Sequence, residues 1–344
     1  MKAAELTGLK QFDISDKSKP TITRDTDILV KINRVGVCGS DIHYFSEGKI
    51  GDQIIDFPFI VGHEAMGTIE QIGSKVKGMK VGQRIAIEPS VSCMECDQCK
   101  SGRYHTCRNN LFLGCPGQLE GALQDYIILN PSNCIPVSEH VSDDEAVLAE
   151  PLSIGLYSVK RSGIQKGQTA AILGFGPIGH SVFLCLKAQG IIPKLVTEKL
   201  NYRKKIAEKE GAVLTTNTND PSYQDLIKQY EKEGIDIAYE CCGEQEAIED
   251  AIRILNPGGK LVIVGIPEAL KISIPIHTLR RKEIDIINIR RQLNCVEEVI
   301  ELMENKKIDV SNMVTHQFKL NETQKAFDMV ANYQNGVMKA MINI

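Results

Sequence analysis

Four cysteines, Cys93, Cys96, Cys99 and Cys107, stand in the spacing C-x2-C-x2-C-x7-C. Four thiolates can close a tetrahedral shell around one metal ion with no position left open, so such a site is structural rather than reactive. Iron–sulfur clusters also use cysteine quartets. A second set is dispersed. Cys38 lies in Gly36-Val37-Cys38-Gly39-Ser40-Asp41-Ile42-His43-Tyr44, His63 and Glu64 in Gly62-His63-Glu64, and Glu150 in Ala149-Glu150-Pro151-Leu152. One thiolate, one imidazole and one or two carboxylates leave a coordination position for substrate, as a catalytic zinc requires. Zinc at this second set favours zinc over iron–sulfur for the quartet. Spacing alone does not single out these residues from the chain's other histidines and acids.

A third group of residues suits a dinucleotide. Gly174-Phe175-Gly176-Pro177-Ile178-Gly179 is a G-x-G-x-x-G run between an apolar strand pattern, Thr169 to Leu173, and a helical one. In that context Gly174 permits the tight turn, Gly176 lets the backbone approach a pyrophosphate, and Gly179 lets helix and strand pack closely. The helix start offers free N–H groups and partial positive charge to phosphate, and Pro177 suits its first turn. Glu198 ends the next strand pattern, about 20 residues beyond the glycines, where the ribose-binding acid belongs. A carboxylate there accepts from ribose hydroxyls and repels a 2′-phosphate, which favours NAD over NADP. Lys199 and Arg203 pull the other way, since either could meet that phosphate.

These residues need two kinds of scaffold. The 344 residues suggest two domains, and 42% apolar content supplies their cores. Residues 1–150 read as β-rich: Ile28, Val30 and Ile32 alternate along one strand, and Arg84 to Ile87 and Tyr126 to Leu129 are short apolar runs between turns. After Glu150 the pattern becomes strand, helix, strand, helix: Thr169 to Leu173, Pro177 to Gln189, Lys194 to Glu198, Asn201 to Glu210, Ile235 to Glu240, Ala247 to Leu255 and Lys260 to Val264. That alternation predicts a parallel sheet with crossover helices, with Lys282 to Ile289 as its last strand. Val296 to Glu304 reads as helix.

The formal net charge of −4 leaves no basic surplus for a phosphate backbone, which argues against nucleic acid as a partner. No apolar run approaches the roughly 18 residues of a membrane span, and Met1 to Lys10 has no signal-like apolar stretch. Eleven cysteines with four clustered read as metal ligands in a reducing compartment, so the cytoplasm is the expected location.

The order of Val37-Cys38-Gly39-Ser40-Asp41, Gly62-His63-Glu64, the cysteine quartet, Glu150-Pro151-Leu152 and the glycine run resembles the zinc-containing medium-chain dehydrogenases over nearly the whole chain. His43-Tyr44, Glu47-Gly48-Lys49-Ile50-Gly51 and Glu150 look like the sorbitol, xylitol and idonate dehydrogenases within that family. The resemblance implies an α/β protein: a GroES-like β-barrel catalytic domain over residues 1–150, a Rossmann domain with a doubly wound parallel sheet over 151–289, and a return to the catalytic domain over 290–344. It implies two zincs per subunit, NAD, and a homodimer or homotetramer.

Carried over residue by residue, Cys38, His63 and Glu64 would be zinc ligands, with Glu150 beside the metal's water or ligating directly. Tyr44 and Arg291 match positions that touch substrate, and Ile178, Glu198, Arg203 and the Val264-Gly265-Ile266 turn match cofactor contacts. Where the family tends to read Phe-Arg-Tyr this chain reads Arg290-Arg291-Gln292, so a sugar acid or sugar phosphate stands close behind a neutral polyol as substrate. An alcohol, with a pKa of about 16, needs the zinc to release its proton. The Rossmann domain would fix the nicotinamide beside the metal. Ser40 and His43 would relay the proton to solvent, with Glu150 as an alternative base. A threonine dehydrogenase shares the Cys-Gly-Ser-Asp and Gly-His-Glu pattern and is the nearest alternative; an NAD-binding scaffold without turnover is a more distant one, because no ligand or relay residue is missing. His105, His140, His180, His277 and His316 have no partner motif and read as surface or core residues.

Overall fold

The computed structural model describes all 344 residues, Met1–Ile344. The chain divides into two compact units: residues 1–150, 296–305 and 313–344 form the first, and 151–295 with 306–312 the second.

The first unit is built on a seven-stranded sheet. Its order is Cys134–Pro136, Arg84–Ile87, Glu64–Ile72, Ile28–Gly36, Lys339–Asn343 and Val314–Lys319, with Tyr126–Leu129 also pairing to Ile28–Gly36. Antiparallel pairing of Ile28–Gly36 with Glu64–Ile72 sets Gly36 opposite Glu64. Ile28, Val30 and Ile32 are fully buried, as their alternation predicts, and they share a core with Phe45, Ile60 and Phe327. Side chains of this size contribute about 1.5–3 kcal/mol each when buried. Phe12, Phe45 and Phe327 pack with ring centroids 4.6–5.8 Å apart, joining the Gln11–Asp16 strand to two helices.

One helix in this unit escapes the β-rich reading. Gly39–Glu47 begins at Cys38, whose N–H donates to Asp41 Oδ2 at 3.2 Å, and stops at Gly48 in the left-handed region. The carboxylate satisfies one of the orphan donors of the first turn, and a glycine at positive φ ends the helix without Cβ strain. A longer helix, Asp143–Ser162, has residues 143–150 in this unit and the rest, from Pro151 on, in the second; it begins with three acids, Asp143, Asp144 and Glu145, which suit a helix N-terminus.

The second unit is a six-stranded parallel sheet in the order Thr215–Asn217, Leu195–Glu198, Ala170–Leu173, Ile235–Glu240, Leu255–Ile263 and Asp285–Asn288. Order reverses beside Ala170–Leu173, the switch point where doubly wound sheets bind ligands. The helix Asn201–Glu210 and the strand Ile235–Glu240 have the bounds their patterns predict. The last strand is shorter than Lys282 to Ile289: Ile276–Lys282 is a helix and only Asp285–Asn288 is strand. The cause lies in Lys282, whose ammonium donates to the carbonyls of Arg253 and Leu255 at 2.6 and 2.8 Å, where the helix Gln245–Ile254 ends. It meets carbonyls that the end of a helix leaves unpaired.

Candidate metal and dinucleotide sites

The cysteine quartet occupies an excursion between the paired strands Ser90–Val91 and Leu111–Phe112. Its four sulfurs lie within 4.8 Å of one another. The closest pairs are Cys93–Cys107 at 3.4 Å, Cys96–Cys107 at 3.9 Å and Cys93–Cys99 at 4.0 Å. Tetrahedral zinc with Zn–S of about 2.3 Å places its sulfurs roughly 3.8 Å apart, so the quartet fits the ion. Backbone N–H groups of Arg108 and Cys99 lower the Cys96 thiol to about 6, whereas burial raises that of Cys99 to about 12. A metal ion bound here would favour the thiolate of Cys99 against its burial.

Cys38, His63 and Glu64 form the second group whose ligand atoms lie within 4.8 Å of one another. The fold brings them together simply: Cys38 ends the connection from strand Ile28–Gly36, and Glu64 begins the neighbouring strand. Asp41, fully buried, supports two of them. One oxygen approaches His63 Nδ1 at 3.3 Å and accepts the Gly62 N–H at 3.2 Å, and the other takes the Cys38 N–H. A carboxylate at Nδ1 leaves Nε2 as the ligating nitrogen. Burial disfavours charge on His63, yet the adjacent Asp41 and Cys38 raise its pKa well above the ordinary histidine value. One thiolate, one imidazole and one carboxylate at this separation fit a zinc with an open position.

Glu150 stands outside this tight group of three but is buried close by. Desolvation raises its carboxyl to about 7, with the His63 charge opposing and the Glu64 charge adding to the rise. Glu64 has a partner that sequence reasoning missed. Lys339, 1% exposed, donates to Glu64 Oε1 and Oε2 at 2.7 and 2.6 Å and to the Val37 carbonyl at 3.1 Å. One ammonium thus ties a candidate ligand to the residue preceding another. The signal was a lysine inside the otherwise apolar run Val337 to Ile342.

Ser40 donates to Cys38 Sγ at 3.3 Å, and His43, one turn later on the same helix, is half-exposed. Tyr44 is buried; its hydroxyl meets Gln53 Oε1 at 3.2 Å and Cys115 Sγ at 3.7 Å. Phe112 packs 5.3 Å from the His63 ring.

In the second unit Gly174 takes φ +91° and its N–H donates to Thr197. A Cβ at Gly179 would overlap the Gly174 carbonyl, so glycine is required for the helix to approach the strand. Gly176 precedes Pro177 at the start of the helix Pro177–Ala188, and Ile178 in its first turn is half-buried. The Arg203 guanidinium overhangs the turn: its Nη1 lies 3.3 Å from where a Gly176 Cβ would stand. Glu198 is more engaged than the sequence implies. Oε2 accepts the Phe175 N–H at 2.8 Å and Oε1 the Leu200 N–H at 2.9 Å. Each carboxylate oxygen keeps a second lone pair, so ribose hydroxyls still have acceptors on a group already fastened to the glycine turn. The N–H groups of Val264 and Gly265 both donate to the Glu240 carbonyl, and Ile266 beyond them is 50% exposed. Arg291 lies in this unit, half-exposed, with φ +53°, while Arg290 is exposed.

Comparison with known proteins agrees with this geometry. Residues 24–139 match the alcohol dehydrogenase GroES-like domain, and residues 177–305 match the zinc-binding dehydrogenase domain. A sorbitol dehydrogenase of Bacillus subtilis is 36% identical over 343 residues, 99% of this chain and 97% of that protein. An L-idonate 5-dehydrogenase of Vitis vinifera is 32% identical over 353 residues, 99% of this chain and 94% of that protein. Among solved structures, an Escherichia coli oxidoreductase of unknown specificity superposes with a TM-score of 0.90 at 29% identity, covering 100% of this chain and 99% of that one.

Proposed function

Because the chain belongs to the zinc-dependent medium-chain dehydrogenases, we propose that it transfers a hydride between a secondary alcohol of a polyol or sugar-derived substrate and NAD. The observation that carries this reading is the Cys38–His63–Glu64 group, three ligands with a position to spare and two of them buried, in a chain that also holds a strand–glycine turn–helix with an acid at the following strand end. Zinc at that group would make the substrate hydroxyl acidic, and NAD would accept the hydride. The chain's own residues do the rest. Asp41 holds the His63 ring in one orientation. Ser40, hydrogen-bonded beside Cys38, and His43, one turn along, would relay the proton to solvent, with the buried carboxyl of Glu150 as the alternative base. Tyr44 and Arg291 would hydrogen-bond the substrate's further hydroxyls. Gly174, Gly176 and Gly179 shape the pyrophosphate turn, and Glu198 selects the unphosphorylated ribose.

Both relatives named above are described as acting on a polyol or a sugar acid, and a neutral polyol is the first choice here. The adjacent Arg290 and Arg291 keep an aldonate or sugar phosphate next. The test is NAD reduction followed by nicotinamide absorbance across polyols, aldonates, sugar phosphates and threonine. Oxidation of threonine alone would refute the polyol reading.

The oligomer we propose is a homodimer or homotetramer. Asp285–Asn288 is an unpaired edge of the parallel sheet, and Leu270, Ile274 and Ile276 nearby in sequence are exposed, a combination that a partner subunit would cover. All eleven cysteines are free thiols, which supports a reducing compartment such as the cytoplasm. No helix is long and apolar enough to cross a membrane.

A further inference from the structure

The turns that follow three adjacent strands, Ala170–Leu173, Ile235–Glu240 and Leu255–Ile263, are in close contact. Gly174, at φ +91°, faces Cys242: a Cβ there would come within 2.8 Å of the Cys242 Cβ. Gly243, at φ +76°, faces the Ile266 carbonyl and Pro267, and Gly265 faces the nitrogens of Gly243 and Cys242. Three turns therefore lie against one another, the 241–243 and Gly265 turns through their backbones and the Gly174 turn against the side chain and nitrogen of Cys242. Two of them, at Gly174 and at Val264-Gly265-Ile266, hold residues assigned above to the dinucleotide.

The residue that joins these turns is Glu240, which is fully buried. Its carbonyl accepts from Val264 and Gly265 at 2.9 and 3.0 Å. Its side-chain Oε1 accepts from Cys242 and Gly243 at 2.7 and 2.6 Å. Its Oε2 is buried without a hydrogen bond and would stand 2.9 Å from a Cβ placed on Gly265. A carboxylate held out of water with one oxygen unpaired is costly. A stable loop could be closed by a neutral asparagine or serine, so this cost asks for a return elsewhere. The two short bonds hold the 241–243 turn in the place where the Gly174 and Gly265 turns both rest against it.

We propose that Glu240 is a positioning residue for the dinucleotide, acting through the 241–243 turn on the backbone that receives the cofactor. The inference rests on the NAD-binding reading, which NADH binding to the unaltered protein tests by itself.

The experiment compares Glu240→Asp and Glu240→Gln in the full zinc-loaded chain. The aspartate keeps the charge but is one methylene too short to reach both N–H groups. The glutamine carbonyl keeps the length and accepts the same two bonds. NADH dissociation constants are measured by the enhancement of nicotinamide fluorescence, with zinc content, unfolding midpoint, and kcat at saturating NAD measured alongside. We expect Glu240→Asp to weaken NADH at least tenfold and raise KM for NAD in parallel. Its zinc content should be unchanged and kcat within about twofold of the unaltered enzyme. Glu240→Gln should bind NADH within about threefold. The proposal is overturned if Glu240→Asp binds NADH as tightly as the unaltered enzyme, or if Glu240→Gln loses as much as Glu240→Asp. Should the aspartate variant fail to fold, the glutamine variant decides alone: near-normal NADH binding supports the proposal, and a tenfold loss overturns it.

Discussion

Replacing Lys339 with methionine removes the ammonium that fills both oxygens of Glu64 and the Val37 carbonyl, while keeping most of the side-chain volume. Both partners of the ion pair are about 1% exposed, so water cannot take the place of the lost charge. Breaking a buried pair by deleting one partner costs about 3–5 kcal/mol, because the other charge is left alone in a low-dielectric interior. For a folding unit of this size each kcal/mol moves the thermal midpoint by about 2–4 °C, so the zinc-free protein should melt roughly 6–20 °C lower. Zinc supplies a replacement cation next to Glu64, and the zinc-loaded variant should lose less. The double variant Lys339→Met with Glu64→Gln should be more stable than the sum of the two single losses predicts, by about 1.5 kcal/mol or more. Thermal and urea unfolding of the four proteins, with and without chelator, measures this cycle. A zinc-free Lys339→Met protein within about 1 kcal/mol of its parent, or strictly additive single variants, would show that the pair does not hold Glu64.

The other predictions concern the metals, the cofactor, acid stability and the substrate. Elemental analysis should find two zincs per subunit. Cys93→Ser should cost stability more than turnover, whereas Cys38→Ser should lower kcat by more than the roughly 10–100-fold typical of losing a mere support to a ligand. Glu198→Ala should weaken NAD by about tenfold or more and narrow its advantage over NADP, and it should also loosen the glycine turn, because the same carboxylate holds the Phe175 and Leu200 N–H groups; comparable kcat/KM for NAD and NADP in the unaltered enzyme would contradict this. Burial opposes the charge on Glu210, but His180 at 3.4 Å, Asn312 and Lys187 together hold its carboxyl down at about 2 against an ordinary 4.5. Its folded pKa is depressed, so its stabilisation is present above about pH 4.5 and fades as pH falls toward about 2. Glu210→Gln should therefore cost stability at neutral pH and flatten the acid limb of the urea midpoint. Arg290→Phe should lower the ratio of anionic to neutral substrate turnover; an unchanged ratio removes Arg290 from charge selection.

Legibility in the sequence followed how local the cause was. The glycine turn, the cysteine quartet and strands such as Ile235–Glu240 were readable because their geometry is set by a few contiguous residues. The helix Gly39–Glu47 was not, since its start depends on the Asp41 carboxylate closing over Cys38 and its nine residues are too few to show a period. The end of the parallel sheet was misread because Ile276–Lys282 is fixed by Lys282 reaching the carbonyls of a helix nearly thirty residues earlier. Cys38, His63 and Glu64 gained their meaning from motif order, not spacing. Lys339 lies 275 positions from Glu64, and no rule of local pattern connects the two. Glu240 likewise read as the last residue of a strand, and its second role appears only when three turns are seen to touch.

The cysteine lobe invites a different kind of conclusion. Its entry and exit are zipped together by Ser90 opposite Phe112 and Val91 opposite Leu111, so the excursion leaves and rejoins the chain at a single gate. Between those points only Cys99, His105 and Cys107 are buried. There is no oily interior to hold it, and an ion bound by the four thiolates would do the work that packing does elsewhere. By the same token its opening is a separate event from global unfolding: chelators and oxidants should find sulfurs here that they cannot find at Cys134 or Cys185, and proteases should nick this loop first, while the rest of the molecule is still intact.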